Sequence, residues 1–182
     1  MAGDQLHEVD HLGIGGFASL FLVVRGRVHT IQQGWDRADF AHPVPDRDDG
    51  RFRIVFAGYS HVARGETHRA RRRLRTLTGG AVPGLDILPR SHLFLVQALA
   101  RLRERDPALA ERVELHVAGP AALDAASTRG VARVRHHGYL AHDQAVALMR
   151  SADLLFLPMH DLPSGVRART VPGKTYEYLA SG

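Results

Sequence analysis

Short apolar runs recur along the chain, each closed by glycine or proline and separated from the next by an amphipathic stretch. Arg53-Ile54-Val55-Phe56-Ala57-Gly58 is the first regular one, and it predicts a buried strand feeding a loop. Residues 59–90 are polar, basic and interrupted by Gly and Pro, so a long loop or irregular insertion is expected there. From Ser91 to Arg105, Leu95, Ala98, Leu99 and Leu102 recur at helical spacing. Val113 to Gly119 predicts a second strand, Ala121 to Ser127 a short helix, and Val131 to Tyr139 a third strand. Residues 142–151 predict a helix with Ala145, Leu148 and Met149 on one side, and Leu154 to Leu157 a fourth strand stopped by Pro158. A last helix starts near Pro172. Strands alternating with helices in this way predict an α/β fold with a doubly wound parallel sheet. Ligands of such sheets bind at the carboxyl ends of the strands, which places Gly58, Gly119, His160 and the segment leading to Lys174 on one rim.

The first 27 residues carry no such rhythm. Gly13-Ile14-Gly15-Gly16 lacks a surrounding strand–turn–helix unit and reads as a flexible turn. Ala41 to Gly50, rich in Pro, Asp and Gly, reads as a linker. The longest apolar run, Ala18 to Val24, is too short to cross a bilayer and follows acidic rather than basic residues, so neither a membrane span nor a cleavable signal is expected. A cytoplasmic protein is the default expectation.

Composition narrows the chemistry. The 182 residues include no cysteine, which excludes disulfides, thiolate metal sites and cysteine nucleophiles. The net charge is +5, yet Lys174 is the only lysine among 24 basic residues, a skew that looks like compositional bias. The one dense cluster, Arg69 to Arg75, has no aromatic residue interleaved. It reads as a solvated or phospholipid-facing segment ahead of a nucleic-acid reader.

The most informative stretch is Val171-Pro172-Gly173-Lys174-Thr175-Tyr176-Glu177-Tyr178-Leu179-Ala180-Ser181-Gly182. Pro172 suits the first turn of a helix, where free N–H groups and Lys174 would favour a phosphate. Glu177 lies three residues on, one turn along the same face. A cation followed by a carboxylate fits a nucleoside diphosphate: the diphosphate on Lys174, the ribose hydroxyls on Glu177. An exposed Lys–Glu pair is the alternative that spacing alone leaves open.

This stretch resembles the donor-binding helix of GT-B glycosyltransferases, especially the retaining family 4. Five other segments resemble that family in the same order: residues 28–40 its interdomain segment, Phe52 to Gly58 the first strand of the C-terminal domain, and Val113 to Gly119, His137-Gly138-Tyr139-Leu140 and Ala152 to Pro158 the next strands. Residues 59–90 have no counterpart. The resemblance implies a poorly defined segment at 1–27, an interdomain-type segment and linker at 28–50, and a partial Rossmann-like, nucleotide-sugar-binding domain at 51–182, incomplete at its C-terminus. It further implies transfer of a sugar from a nucleotide sugar to an acceptor glycan or lipid, with no metal or other cofactor. In that family's terms Lys174 binds the diphosphate, Glu177 the ribose, and Gly58 lets the backbone approach the cleft. His160, Ser164 and Gly165 fall in the loop facing the donor sugar. Arg90 stands near a position where the family often has a diphosphate-binding arginine. Arg169 stands where many members have a second glutamate, and Gln32 where the interdomain pattern has proline. His160 reads equally as a surface-loop histidine. Without an acceptor domain the chain alone is expected to show no turnover, so a non-catalytic nucleotide- or phosphate-binding module is the alternative. The expected partners are a nucleotide sugar and, peripherally, the inner face of a membrane; nucleic acid is not expected.

Overall fold

The computed structural model describes residues 19–24, 27–44, 47–59, 61–77, 84–120, 128, 130–168 and 171–182. The glycine cluster at 13–16 and the helix expected at 121–127 lie outside the described residues, as does Arg169.

Strands β1 (Ser19–Val24) and β2 (Arg27–Gln32) pair antiparallel as a hairpin. Ser19–Val24 of the apolar run is therefore strand, although residues 1–27 offered no readable pattern, and the interdomain-type segment begins as its partner. The main sheet contains β3 (Phe52–Ala57), β4 (Val113–Ala118), β5 (Val134–Gly138) and β6 (Leu154–Leu155), all parallel, in the order β5-β4-β3-β6. Numbered along the chain within this sheet, that order is 3-2-1-4, compatible with a Rossmann-like arrangement.

The helices flank both faces. Alternation along the strands sends Ile54, Phe56, Leu115 and Val117 toward α2 (Leu93–Arg105), where Val96 and Leu99 complete one core. Val55, Ala57 and Ala118 point the other way, against Val146 and Met149 of α4 (His142–Arg150). Leu115, Val55 and Met149 are essentially sealed from water; β3, covered on both faces, reads as a continuous apolar run, whereas β4 alternates because Glu114 and His116 occupy its α4-side face.

Four expectations need correction. The expected loop at 59–90 contains a 16-residue helix, α1 (Val62–Leu77). Only Gly65 and His68 of its described residues are buried, so no apolar stripe announced it. Gly65 lies so close to Leu88 that an added Cβ would stand 2.6 Å from the Leu88 Cα. A further helix, α3 (Pro107–Arg112), was not foreseen; Asp106 caps it by accepting from the Leu109 N–H at 2.9 Å, with Pro107 in its first turn. The fourth strand is two residues long instead of four, and the third is confined to Val134–Gly138. The terminal helix, α5, spans Lys174–Ala180, so Pro172 precedes it and Lys174 is its first residue. Among the described residues no helix is long and apolar enough to cross a membrane.

Candidate functional site

The carboxyl ends of β3 and β4 meet backbone to backbone. The Gly58 N–H donates to the Ala118 carbonyl at 2.9 Å, and the Gly119 N–H to the Gly138 carbonyl at 2.7 Å. Gly119 has φ +118°, and an added Cβ would stand 2.2 Å from the Gly58 carbonyl oxygen. Gly58 itself is less confined, since a Cβ there would meet only the Phe56 ring edge at 4.0 Å. Between β3 and β6 the chain order reverses, and a crevice at such a reversal is where open α/β sheets take ligands.

Tyr178 fixes α5 at that crevice. β6 stops after Leu155, so the Ala57 N–H has no strand partner on that side; it donates to the Tyr178 hydroxyl at 3.1 Å instead. The hydroxyl in turn faces the carbonyls of Ala57 at 3.4 Å and Phe156 at 3.5 Å. Burial raises the tyrosine's pKa, so it remains a neutral donor. Nothing in the sequence singled this residue out, because its role depends on where a distant strand ends.

With α5 so placed, Lys174 and Glu177 stand at the rim, each about a quarter to a third exposed, and the Lys174 ammonium donates to Glu177 Oε2. The pair closes on itself, as the plain surface-pair reading expected. Thr175 on the same helix has a buried Oγ1 without a protein partner. It lines a cavity of about 380 Å³ that runs between α5 and the end of α4, with Met149, Ala152, Leu155 and Tyr178 in its wall; Lys174 and Glu177 do not line it. The segment after β2 also reaches this corner, with Gln33 Nε2 3.3 Å from where a Gly173 Cβ would lie.

A second group of side chains gathers nearby through loop pairing. Asp86 and Asp161 exchange two backbone hydrogen bonds of 3.0 Å, which lays residues 84–90 against the loop after β6. His61, Arg90 and His160 are thereby close enough to act on one another. Desolvation first, and then the Arg90 charge, lower the pKa of both histidines. His61 Nδ1 is buried without a protein partner, and the ring lies 5.4 Å from that of Tyr59. His61 was missed in the sequence because it sat in an expected loop. Ser164 and Gly165 form an exposed turn, closed by the Val166 N–H on the Pro163 carbonyl, with Gly165 at φ +80°. No described hydrogen bond or ion pair ties that turn to Lys174 or Glu177.

A separate polar cluster occupies the β4–β5 part of the α4-side face. Glu114 and His116 are both 3% exposed. Arg135 Nε donates to Glu114 Oε1 at 2.6 Å, and Arg51 stands 3.6 Å from the same oxygen. His116 Nε2 is 3.0 Å from Glu114 Oε2, off the line of a well-formed hydrogen bond. His116 Nδ1 lies 2.9 Å from His137 Nε2, and the two rings stack. A proton on His116 Nε2 facing the carboxylate makes Nδ1 the acceptor and His137 Nε2 the donor. Burial alone would raise the Glu114 pKa, but the close His116 imidazole and the Arg135 guanidinium outweigh it and hold the carboxyl down to about 2. Desolvation lowers both imidazoles. Among the described residues no group of three His, Asp or Glu side chains is placed to hold a metal ion.

No protein-family model, no curated protein and no solved structure matches this chain.

Proposed function

We propose that this chain is the donor-binding α/β part of a GT-B-type, family 4-like glycosyltransferase, holding the nucleoside diphosphate of a nucleotide sugar in the crevice between β3 and β6. The observation that carries the reading is the Tyr178 anchor, which sets Lys174 and Glu177 at the reversal point of a parallel sheet ordered 3-2-1-4. Since α5 is only seven residues long, the positive charge comes mainly from the Lys174 side chain and not from the helix dipole.

Binding in this scheme is an exchange. Lys174 leaves Glu177 for the diphosphate, and the freed carboxylate accepts the ribose hydroxyls. The pair given up is an i,i+3 contact worth about 0.2–0.5 kcal/mol, whereas each charge-assisted bond gained contributes about 1.5–3 kcal/mol. The exchange favours the ligand. Arg90, His61 and His160 supply further cationic and N–H groups toward the distal phosphate and the sugar. Gly58 leaves its strand end open to the ligand, and Ser164 and Gly165 belong to the loop that would face the sugar. A non-catalytic nucleotide-binding module is the second reading. It is favoured by the rim carboxylate's engagement with Lys174 and by arginine at position 169.

Calorimetric titration tests the proposal. Lys174→Ala should weaken a nucleoside diphosphate roughly tenfold or more while sparing the bare nucleoside, because the lost partner is the diphosphate charge. Glu177→Ala should weaken both alike, since both carry the ribose diol. Equal and negligible effects on folded protein would reduce the pair to a solvated helix face and remove the proposal's basis.

A further inference from the structure

The positive charge of this protein is concentrated in one element. α1 carries six arginines (64, 69, 71, 72, 73 and 75) against the single acid Glu66, a net +5 that equals the net charge of the whole chain. The remaining residues therefore balance to zero, so compositional bias toward arginine does not by itself account for the placement.

The helix also presents a definite outer side. Gly65 and His68 are buried toward the body, with Gly65 against Leu88. Half a turn away, Ala63, Thr67, Ala70 and Leu74 recur at helical spacing, and all four are exposed, Leu74 by 64%. Arg64 and Arg71 stand together along one edge of that stripe and are exposed as well, with Glu66 exposed along the other. Arg69 is held differently: it donates to Asp86 and lies over the Phe94 ring, 6.0 Å from its centroid, while Phe94 itself remains 41% exposed. The outer side is thus a weakly apolar stripe edged by arginines, without an aromatic residue on the helix to stack a base.

We propose that the outer side of α1 is a docking surface for an anionic lipid bilayer, the helix lying flat with Ala63, Thr67, Ala70 and Leu74 toward the headgroups and Arg64 and Arg71 beside them. Charge complementarity selects this occupant, since basic residues near a negatively charged leaflet each contribute measurably to attachment. The small apolar stripe matches a surface helix and not a spanning one. Nucleic acid fits less well, because α1 itself carries no Phe, Tyr or Trp and no groove-reading polar set beside Arg64 and Arg71, and the exposed Phe94 ring nearby lies under Arg69. The proposal does not rest on the donor-site reading, although Arg64 lies near enough to His61 to lower its pKa.

The test is co-sedimentation of the full chain with vesicles of phosphatidylcholine alone and of phosphatidylcholine mixed with phosphatidylglycerol. Binding to the mixed vesicles at low salt is expected, with little to phosphatidylcholine alone and loss at high salt. Arg64→Ala with Arg71→Ala should weaken it by about fivefold per arginine; alanine favours helix, so the fold is retained, and circular dichroism checks this. Arg101→Ala with Arg103→Ala removes the same charge from the exposed side of α2 and should leave binding close to that of the parent. The proposal is overturned by no binding to the mixed vesicles, by equal losses in the two double variants, or by a single-stranded oligonucleotide that displaces the chain from the vesicles.

Discussion

Gly119→Ala is expected to cost the fold roughly 2–6 kcal/mol. Two effects add. A non-glycine residue at φ +118° is strained, at about 1–3 kcal/mol. The new Cβ would also stand 2.2 Å from the Gly58 carbonyl oxygen, and relieving such an overlap costs about 1–3 kcal/mol more. Backbone, unlike the tip of a flexible side chain, cannot simply turn away. Gly138→Ala provides the comparison, because its φ is +64° but nothing lies within 4 Å of an added Cβ. Urea denaturation should show a much lower midpoint for the Gly119 variant than for the Gly138 variant. Equal midpoints would mean that β3 and β4 do not close on each other as described.

Acidification should expose the buried cluster on β4 and β5. The Glu114 carboxyl is held to about 2, against 4.5 in an unfolded chain. A depressed carboxyl stabilises the fold above its unfolded pKa, and that contribution disappears as pH falls from 4.5 toward 2. The shift corresponds to about 3 kcal/mol at neutral pH. His92, buried between the sheet and α2 with neither ring nitrogen partnered, adds an earlier step. Desolvation, and then the His136 charge, lower its pKa from 6.5 to about 4, so keeping it neutral becomes increasingly unfavourable for the fold across that interval. Stability should therefore decline in two overlapping stages below about pH 6.5. Glu114→Gln should be about 3 kcal/mol less stable than the parent near pH 7, with the difference roughly halved near pH 3 and nearly gone near pH 2. A difference that stayed constant across that range would show that Glu114 is not held as an ion by Arg135 and His116.

The parts of the fold that were legible in the sequence are those where burial alone fixes the pattern. Val55 and Phe56 are buried on opposite faces of the sheet, and Leu115 and Val117 on the α2 side, so an apolar run announced β3 and a buried alternation announced β4. α1 stayed hidden because it turns a glycine and a histidine inward, residues that carry no hydrophobic signal. α3 was signalled only by the Asp106-Pro107 cap, a local cue that a search for periodicity passes over. At the site, the three-residue spacing of Lys174 and Glu177 was enough to place both on one helical face, and they do meet. Tyr178, His61 and the approach of Arg90 to His160 could not be read in advance. They depend on the early end of β6 and on the pairing of Asp86 with Asp161, contacts between segments far apart in the chain.

Heteronuclear spectra of the ¹⁵N-labelled chain, titrated with uridine, guanosine and adenosine diphosphates in turn, test the central claim most directly. With at least one of them, the largest shifts should fall on the amides of Gly58, Gly119, Lys174, Glu177 and Tyr178, while Arg71 on α1 and Arg135 on β5 stay unmoved. Shifts centred on α1 or on the β4–β5 cluster, or none with any of the three, would contradict a nucleotide site between β3 and β6.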